Sequence, residues 1–180
     1  MRQIVLISGS PGAGKSTLAL PLAERLGWPL LSKDHIKETL FDAMGGVGDS
    51  LEESRRFGAG AMGTLWALAA RCPQVVLEAN FRPRSDYERA RLLGLRGQVV
   101  EVHCACPMAE AMRRFKARGA AGVHAAHPWR LMDDAAFAEF DRPVGVGDLI
   151  TVDTTRPTDI EGIAGEIARR FANGAALASG

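Results

Sequence analysis

Disulfides, membrane spans and large aromatic surfaces have little to draw on in this chain. Only three cysteines occur among 180 residues, Cys72, Cys104 and Cys106. An odd number closes no disulfide framework, and Cys104-Ala105-Cys106 lacks the spacing and the second pair of a zinc site. Buried, reduced thiols are expected, and with them a cytoplasmic location. No apolar run approaches the roughly 18 residues that span a membrane. Met1 to Ile7 passes straight into an apolar segment without a small-residue cleavage site, which reads as a first strand rather than a signal peptide. One tyrosine and three tryptophans make a poor stacking platform for single-stranded nucleic acid. A net charge of +1 argues against an obligate nucleic-acid coat protein.

What is present suits one globular domain. Hydrophobic residues make up 47% of the chain, enough for a real core. Charge is unevenly spread: nine Lys/Arg face four Asp/Glu between Arg82 and Arg118, and four face nine from Leu131 onward. A basic middle suits an anionic ligand. Short apolar runs at 4–7, 29–31, 75–77, 99–102 and 149–152 alternate with segments of helical period. Met108, Ala111, Met112 and Phe115 form one helical stripe; Ile160, Ile163, Ala164, Ile167 and Phe171 form another. Ser50–Glu53, Ser85–Glu88 and Thr158–Glu161 read as capping boxes, and Pro107 sits at a helix start. Strand–helix alternation with apolar strands predicts an α/β fold, a parallel five-stranded sheet covered on both faces. The expected domain is 1–173, with a frayed tail at 174–180. Pro21 should kink the first helix. Gly58, Gly60 and Gly63 predict that their helix either packs very closely or is mobile, since each costs about 1 kcal/mol against alanine.

The strongest signal is Gly9-Ser10-Pro11-Gly12-Ala13-Gly14-Lys15-Ser16-Thr17, which fits G-x-x-x-x-G-K-[ST] between an apolar strand and a helix. Glycines let successive N–H groups turn toward an anion, and the following helix adds its positive end. Lys15 is then the point charge for the β/γ phosphates and Ser16 a hydroxyl for magnesium. Such a cradle needs an acidic partner. Glu78 ends the Val75-Val76-Leu77 strand and is the first candidate, with Asp153 after the last strand as the competitor. Asn80, Arg82 and Arg84 follow at the same sheet edge, where ligands collect in open α/β sheets.

With these residues the chain resembles the small P-loop kinases related to gluconate kinase, chloramphenicol phosphotransferase and the kinase domain of phage polynucleotide kinase. It also resembles bacterial proteins classed as AAA-type ATPases or zeta-toxin-like kinases. The resemblance implies strand order 2-3-1-4-5, a lid, ATP and Mg2+ as cofactors, and phosphoryl transfer to a hydroxyl. It implies that Asp34, just after the second strand, faces the acceptor hydroxyl, orients it and accepts its proton, with Lys37 where the phage enzyme has arginine. A helix cap is the other reading of Asp34. It implies lid arginines at Arg114 and Arg118, a lid over about 117–130 hinged at Gly119 and Gly122, and the backbone at Thr155 and Arg156 beside adenine. His124 and His127 have no third ligand of suitable spacing, so no zinc site is expected.

The sequence is compatible with three functions. The first is a kinase of a small hydroxyl-bearing molecule. The second is a polynucleotide or RNA 5′-hydroxyl kinase, drawn from the phage resemblance and the basic middle. The third is an ATPase switch without an acceptor. No membrane partner is expected.

Overall fold

Ile4, Val5, Leu6 and Ile7 are completely buried, so the first strand is covered on both faces and must lie inside the sheet. The computed structural model describes residues 1–48, 50–127, 137, 139–140 and 142–177. Its elements run β1 (Arg2–Ser8), α1 (Lys15–Leu26), β2 (Leu30–Ser32), α2 (Lys33–Ala43), α3 (Leu51–Ala69), β3 (Gln74–Glu78), α4 (Asp86–Gly94), β4 (Gly97–Ala105), α5 (Met108–Ala120), β5 (Asp148–Asp153) and α6 (Ile160–Leu177). All pairings are parallel and the order is β2-β3-β1-β4-β5, as the resemblance implied.

Alternation along the strands sorts the core into two layers. Val5, Ile7, Val76, Val100 and Val102 pack on Leu18 and Leu22 of α1 and on Ile163, Ile167 and Phe171 of α6. Ile4, Leu6, Val75, Leu77 and Val99 pack on Leu65, Trp66 and Ala69 of α3 and Leu92 of α4. Each fully buried side chain of this size is worth about 1.5–3 kcal/mol. A third, small cluster joins Phe41 of α2, Phe57 of α3 and Ala126, with the two rings 5.2 Å apart. It fastens the segment after α5 to the α2–α3 pair.

Several local expectations shift. Ser50 and Ser85 cap their helices, accepting from the N–H of Glu53 at 3.1 Å and Glu88 at 3.3 Å. The return arms go elsewhere: Glu53 accepts from the N–H groups of Val47 and Gly48, and Glu88 from that of Arg82. At α6 the cap is Asp159, not Thr158; its Oδ1 accepts from the Gly162 N–H at 2.9 Å. That helix runs to Leu177, past Asn173-Gly174, where the tail was expected to begin. The α1 helix continues through Pro21 to a Gly27 cap with φ 67°. In α3, a Cβ at Gly58 or Gly63 would meet nothing within 4 Å. Close packing therefore does not explain those two glycines. Among the described residues, no helix is long and apolar enough to cross a membrane.

Candidate active site

The phosphate loop is pressed into place from two sides. A Cβ on Gly12 would overlap the carbonyl of Ala111 in α5, and one on Gly9 would stand 2.8 Å from the carbonyl of Cys104 at the end of β4. Both residues have positive φ, 78° and 133°, so glycine is required by conformation and by space. Lys15 opens α1 with its ammonium folded into the loop, donating to the carbonyls of Gly9 and Ser10 at 2.9 Å each. Burial pushes its pKa down, while the nearby Glu78 carboxylate pulls it up.

Parallel pairing brings Glu78 to the end of β3 beside Ser32 at the end of β2. Glu78 is 3% exposed, and its carboxylate accepts from Ser32 Oγ at 2.6 Å and Ser16 Oγ at 3.3 Å. The edge of the sheet thus holds a buried carboxylate against the first hydroxyl of the phosphate-loop helix. Asp153, the competing acid, is turned to its own neighbours: it accepts from the Thr155 N–H and hydroxyl.

Asp34 lies in the first turn of α2, one residue past the helix start. The cap position belongs to Ser32, whose hydroxyl is spent on Glu78, and no side chain caps this helix. Asp34 instead pairs with Lys33 at 2.9 Å and keeps 43% of its side chain exposed. Desolvation in the cleft raises its pKa, but Lys33, His127 and Lys15 outweigh this and hold the carboxyl at about 2. Lys37, one turn on, is buried and donates to Ser54 Oγ at 2.6 Å. The α2 side of the cleft is closed by the segment after α5, where His127 Nε2 meets Glu38 Oε1 at 2.9 Å and His124 Nε2 meets Asp42 Oδ1 at 3.1 Å.

The two arginines of α5 differ. Arg114 is held by Glu110 at 2.7 Å and donates to the Thr154 carbonyl at 3.0 Å. Arg118 has its guanidinium over the Phe115 ring, 5.7 Å from the centroid, and forms no ion pair among the described residues.

One cleft of about 900 Å³ collects most of the expected residues. Pro11, Gly12, Gly14, Lys15, Ser16 and Thr17 line it on the loop side, and Asp34, Lys37, Glu78, Asn80, Arg114 and Arg118 elsewhere. Gly9, Ser10 and Ala13 belong to the same loop; Ala13 donates its N–H to the Ser10 carbonyl and is fully buried. Beyond the loop, Arg82, Thr155 and Arg156 do not line the cleft. Arg82 is paired with Glu139 at 2.8 Å and its N–H with Glu88, because the chain turns away toward α4. Thr155 and Arg156 both face Asp153. Of the lid expected over about 117–130, positions 128–130 lie outside the described residues. Sequence reasoning missed Lys33, Glu38 and Ser54, which also line the cleft. Glu38 was within reach, since it stands four residues after Asp34 on the same helical face; Ser54 had no local signal.

The donor set fits ATP and magnesium. The loop offers glycine-lined backbone at the start of a helix and a buried cation, the chemistry of a phosphate site. Ser16 and Glu78 supply hydroxyl and carboxylate oxygens, which a hard cation prefers.

Comparison with known proteins bears on the family and the fold. Residues 4–140 match the AAA domain family. A candidate kinase from Chloroflexus aurantiacus is 30% identical, with a TM-score of 0.79 over 94% of this chain and 98% of that one. Mycobacterium tuberculosis APS kinase in complex with AMPPNP and APS is 20% identical, with a TM-score of 0.60 over 95% and 98% of the two chains. Acinetobacter baumannii shikimate kinase in complex with shikimate is 21% identical, with a TM-score of 0.56 over 97% and 94%. Among curated proteins none matches the chain. With a phosphate loop on a 2-3-1-4-5 sheet and a match spanning most of its length, the chain belongs to the AAA domain family and is built as a small P-loop kinase.

Proposed function

We propose that this protein is an ATP- and magnesium-dependent kinase that transfers the γ-phosphoryl group to a hydroxyl of a small molecule. The observation that carries the reading is a single cleft lined by the phosphate loop and by the partly exposed carboxylate of Asp34. When bound, magnesium and ATP supply the phosphoryl group and a neutralised leaving diphosphate. Lys15 and the loop N–H groups bind the β and γ phosphates. Ser16 and Glu78 would hold the metal, through a hydroxyl and a carboxylate oxygen. Asp34 accepts a hydrogen bond from the acceptor hydroxyl and fixes its direction of approach. With a pKa of about 2, its carboxylate is too weak a base to take the proton early. A largely dissociative transfer needs no early deprotonation, so orientation is its main contribution. Arg118 is free to meet charge on the transferring group.

The test is incubation with ATP, magnesium and a panel of hydroxyl compounds, read by mass spectrometry. A phosphorylated acceptor is expected, and its absence in Lys15→Ala. Release of free phosphate alone, with no acceptor modified and no stimulation by any, would overturn the kinase reading in favour of an ATPase switch.

A further inference from the structure

The acceptor half of the cleft is walled by α2, α3 and segment 121–127, and its charges are nearly all matched. Lys33 meets Asp34, His127 meets Glu38, and His124 meets Asp42 at the exposed rim. Lys37 is the exception. It is 4% exposed, yet among the described residues no carboxylate stands within ion-pair distance of its ammonium. Its hydrogen bond goes to Ser54 Oγ at 2.6 Å. Ser54 spends its own proton on the Ala126 carbonyl at 3.0 Å, so its oxygen is committed to the lysine as an acceptor. An ammonium carries three donors, and this accounts for one. Both residues line the cleft.

A buried cation without a counter-charge destabilises a fold. Burial, assisted by Lys33, pushes the Lys37 pKa down to about 8 against the weaker pull of Asp34 and Glu38, neither of which reaches its ammonium. Local rules are broken in this way at functional sites. Lys37 also stands three residues after Asp34, on the same helical face, where side chains are neighbours. One small molecule carrying a hydroxyl and an anion a few ångströms apart would meet both.

Building on the kinase reading, we infer that Lys37, held by Ser54, docks an anionic group of the acceptor. The substrate is thus a hydroxyl compound bearing a carboxylate, sulfate ester or phosphate ester, not a neutral polyol. Lysine acts here as a point charge, without the planar fork that would demand a bidentate anion. Segment 121–127 completes the site through the Ala126 carbonyl, which fixes the rotamer of Ser54 and, through it, the ammonium.

The experiment is titration calorimetry on the full chain without nucleotide. The probes are matched polyols that carry a carboxylate, a sulfate ester, a phosphate ester or no charge. Within a set, one anionic member should bind about tenfold or more tightly than the neutral polyol, as a charge-assisted hydrogen bond provides. The member that does so names the anion. The advantage should vanish in Lys37→Met, survive in part in Lys37→Arg, and fall in Ser54→Ala. Should Lys37→Met fail to fold, Ser54→Ala carries the same comparison. A neutral polyol binding as tightly as its partners, a preference that persists in Lys37→Met, or no binding by any anionic member overturns the inference. The two readings fail separately. Lysine-dependent anion binding with no phosphorylated product would support the docking point and remove the kinase. Preferential phosphorylation of neutral polyols would do the reverse.

Discussion

Ser16 of the phosphate loop and Glu78 at the end of β3 are 62 residues apart in sequence and meet at 3.3 Å. The same carboxylate reaches Ser32 on the neighbouring strand. Glu78 therefore ties the nucleotide side of the cleft to the start of α2, where Asp34 stands.

Glu78→Gln should separate metal from nucleotide. Glutamine keeps the shape, and a serine hydroxyl can turn to accept from its amide, so the fold should persist. The buried negative charge is lost. The magnesium concentration for half-maximal turnover should rise by about tenfold or more, as for other outer metal partners. Nucleotide affinity measured with EDTA present should change little. Unaltered magnesium dependence would remove Glu78 from the metal site.

How much of this was legible in sequence depended on range. The phosphate loop was readable because its function is local: nine consecutive residues carry it, flanked by strand and helix. The order of the sheet followed from a family resemblance, not from the residues. Arg82 was expected in the site because it follows β3 closely, but the turn toward α4 carries its backbone to Glu88 and its side chain to Glu139. Ser54 was invisible, since only the packing of α3 on α2 brings it to Lys37. The difference between the arginines has a local signal, since Glu110 stands four residues before Arg114, at the spacing of a helical ion pair.

Two glycine substitutions should move stability in opposite directions. Gly63→Ala in α3 meets open space and gains helix propensity, so unfolding free energy should rise by about 0.5–1 kcal/mol. Gly12→Ala combines positive φ with a clash against Ala111 and should cost at least about 1–3 kcal/mol. Denaturant melts decide both. A destabilised Gly63→Ala would mean that α3 needs its flexibility or packs on something outside the described residues.

The α5 arginines should separate in kinetics. Arg118 lines the cleft without an ion pair among the described residues, whereas Arg114 is engaged by Glu110 and Thr154. Arg118→Ala should lower kcat by about tenfold or more, a loss of about 1.4 kcal/mol in the transition state. Arg114→Ala should act less on kcat and more on melting temperature. The reverse ranking in steady-state rates would reassign the role.

Lys37→Met should stabilise the protein at neutral pH and not at high pH. The sign follows from the folded pKa of about 8, below the unfolded 10.5. Between those values the unfolded chain binds more protons, so wild-type stability rises with pH as the buried lysine discharges. At pH 7 the full penalty is present, and the methionine variant should be more stable by about 1 kcal/mol, allowing for water at the cleft-facing ammonium. In melting temperature that is about 2–4 °C for a chain of this length. Near pH 11 the difference should vanish. An advantage that is constant across this range would show that the gain comes from packing rather than charge.

Asp34→Asn distinguishes a kinase residue from a structural one. A structural role rests on the Lys33 ion pair and on a carboxylate in the first turn of α2. Both effects are small for a side chain 43% exposed, where water screens the pair. Their pH signature is defined: stability from a carboxyl lowered from 3.8 to about 2 is fully present above pH 3.8 and lost as pH falls through 2. At pH 7 the variant should therefore melt within a few degrees of wild type. Affinity for ATP should be nearly unchanged, because Asp34 stands on α2 and not in the phosphate loop. Transfer to the acceptor should fall by about a hundredfold or more, since the amide presents a donor as readily as an acceptor to the hydroxyl. Background hydrolysis by water, which needs no such orientation, should fall less. Because the carboxyl stays ionised far below neutrality, the acid limb of wild-type turnover should not titrate near pH 4 on its account. Normal transfer per folded molecule in Asp34→Asn, together with a lowered melting temperature, would leave Asp34 with only its helix.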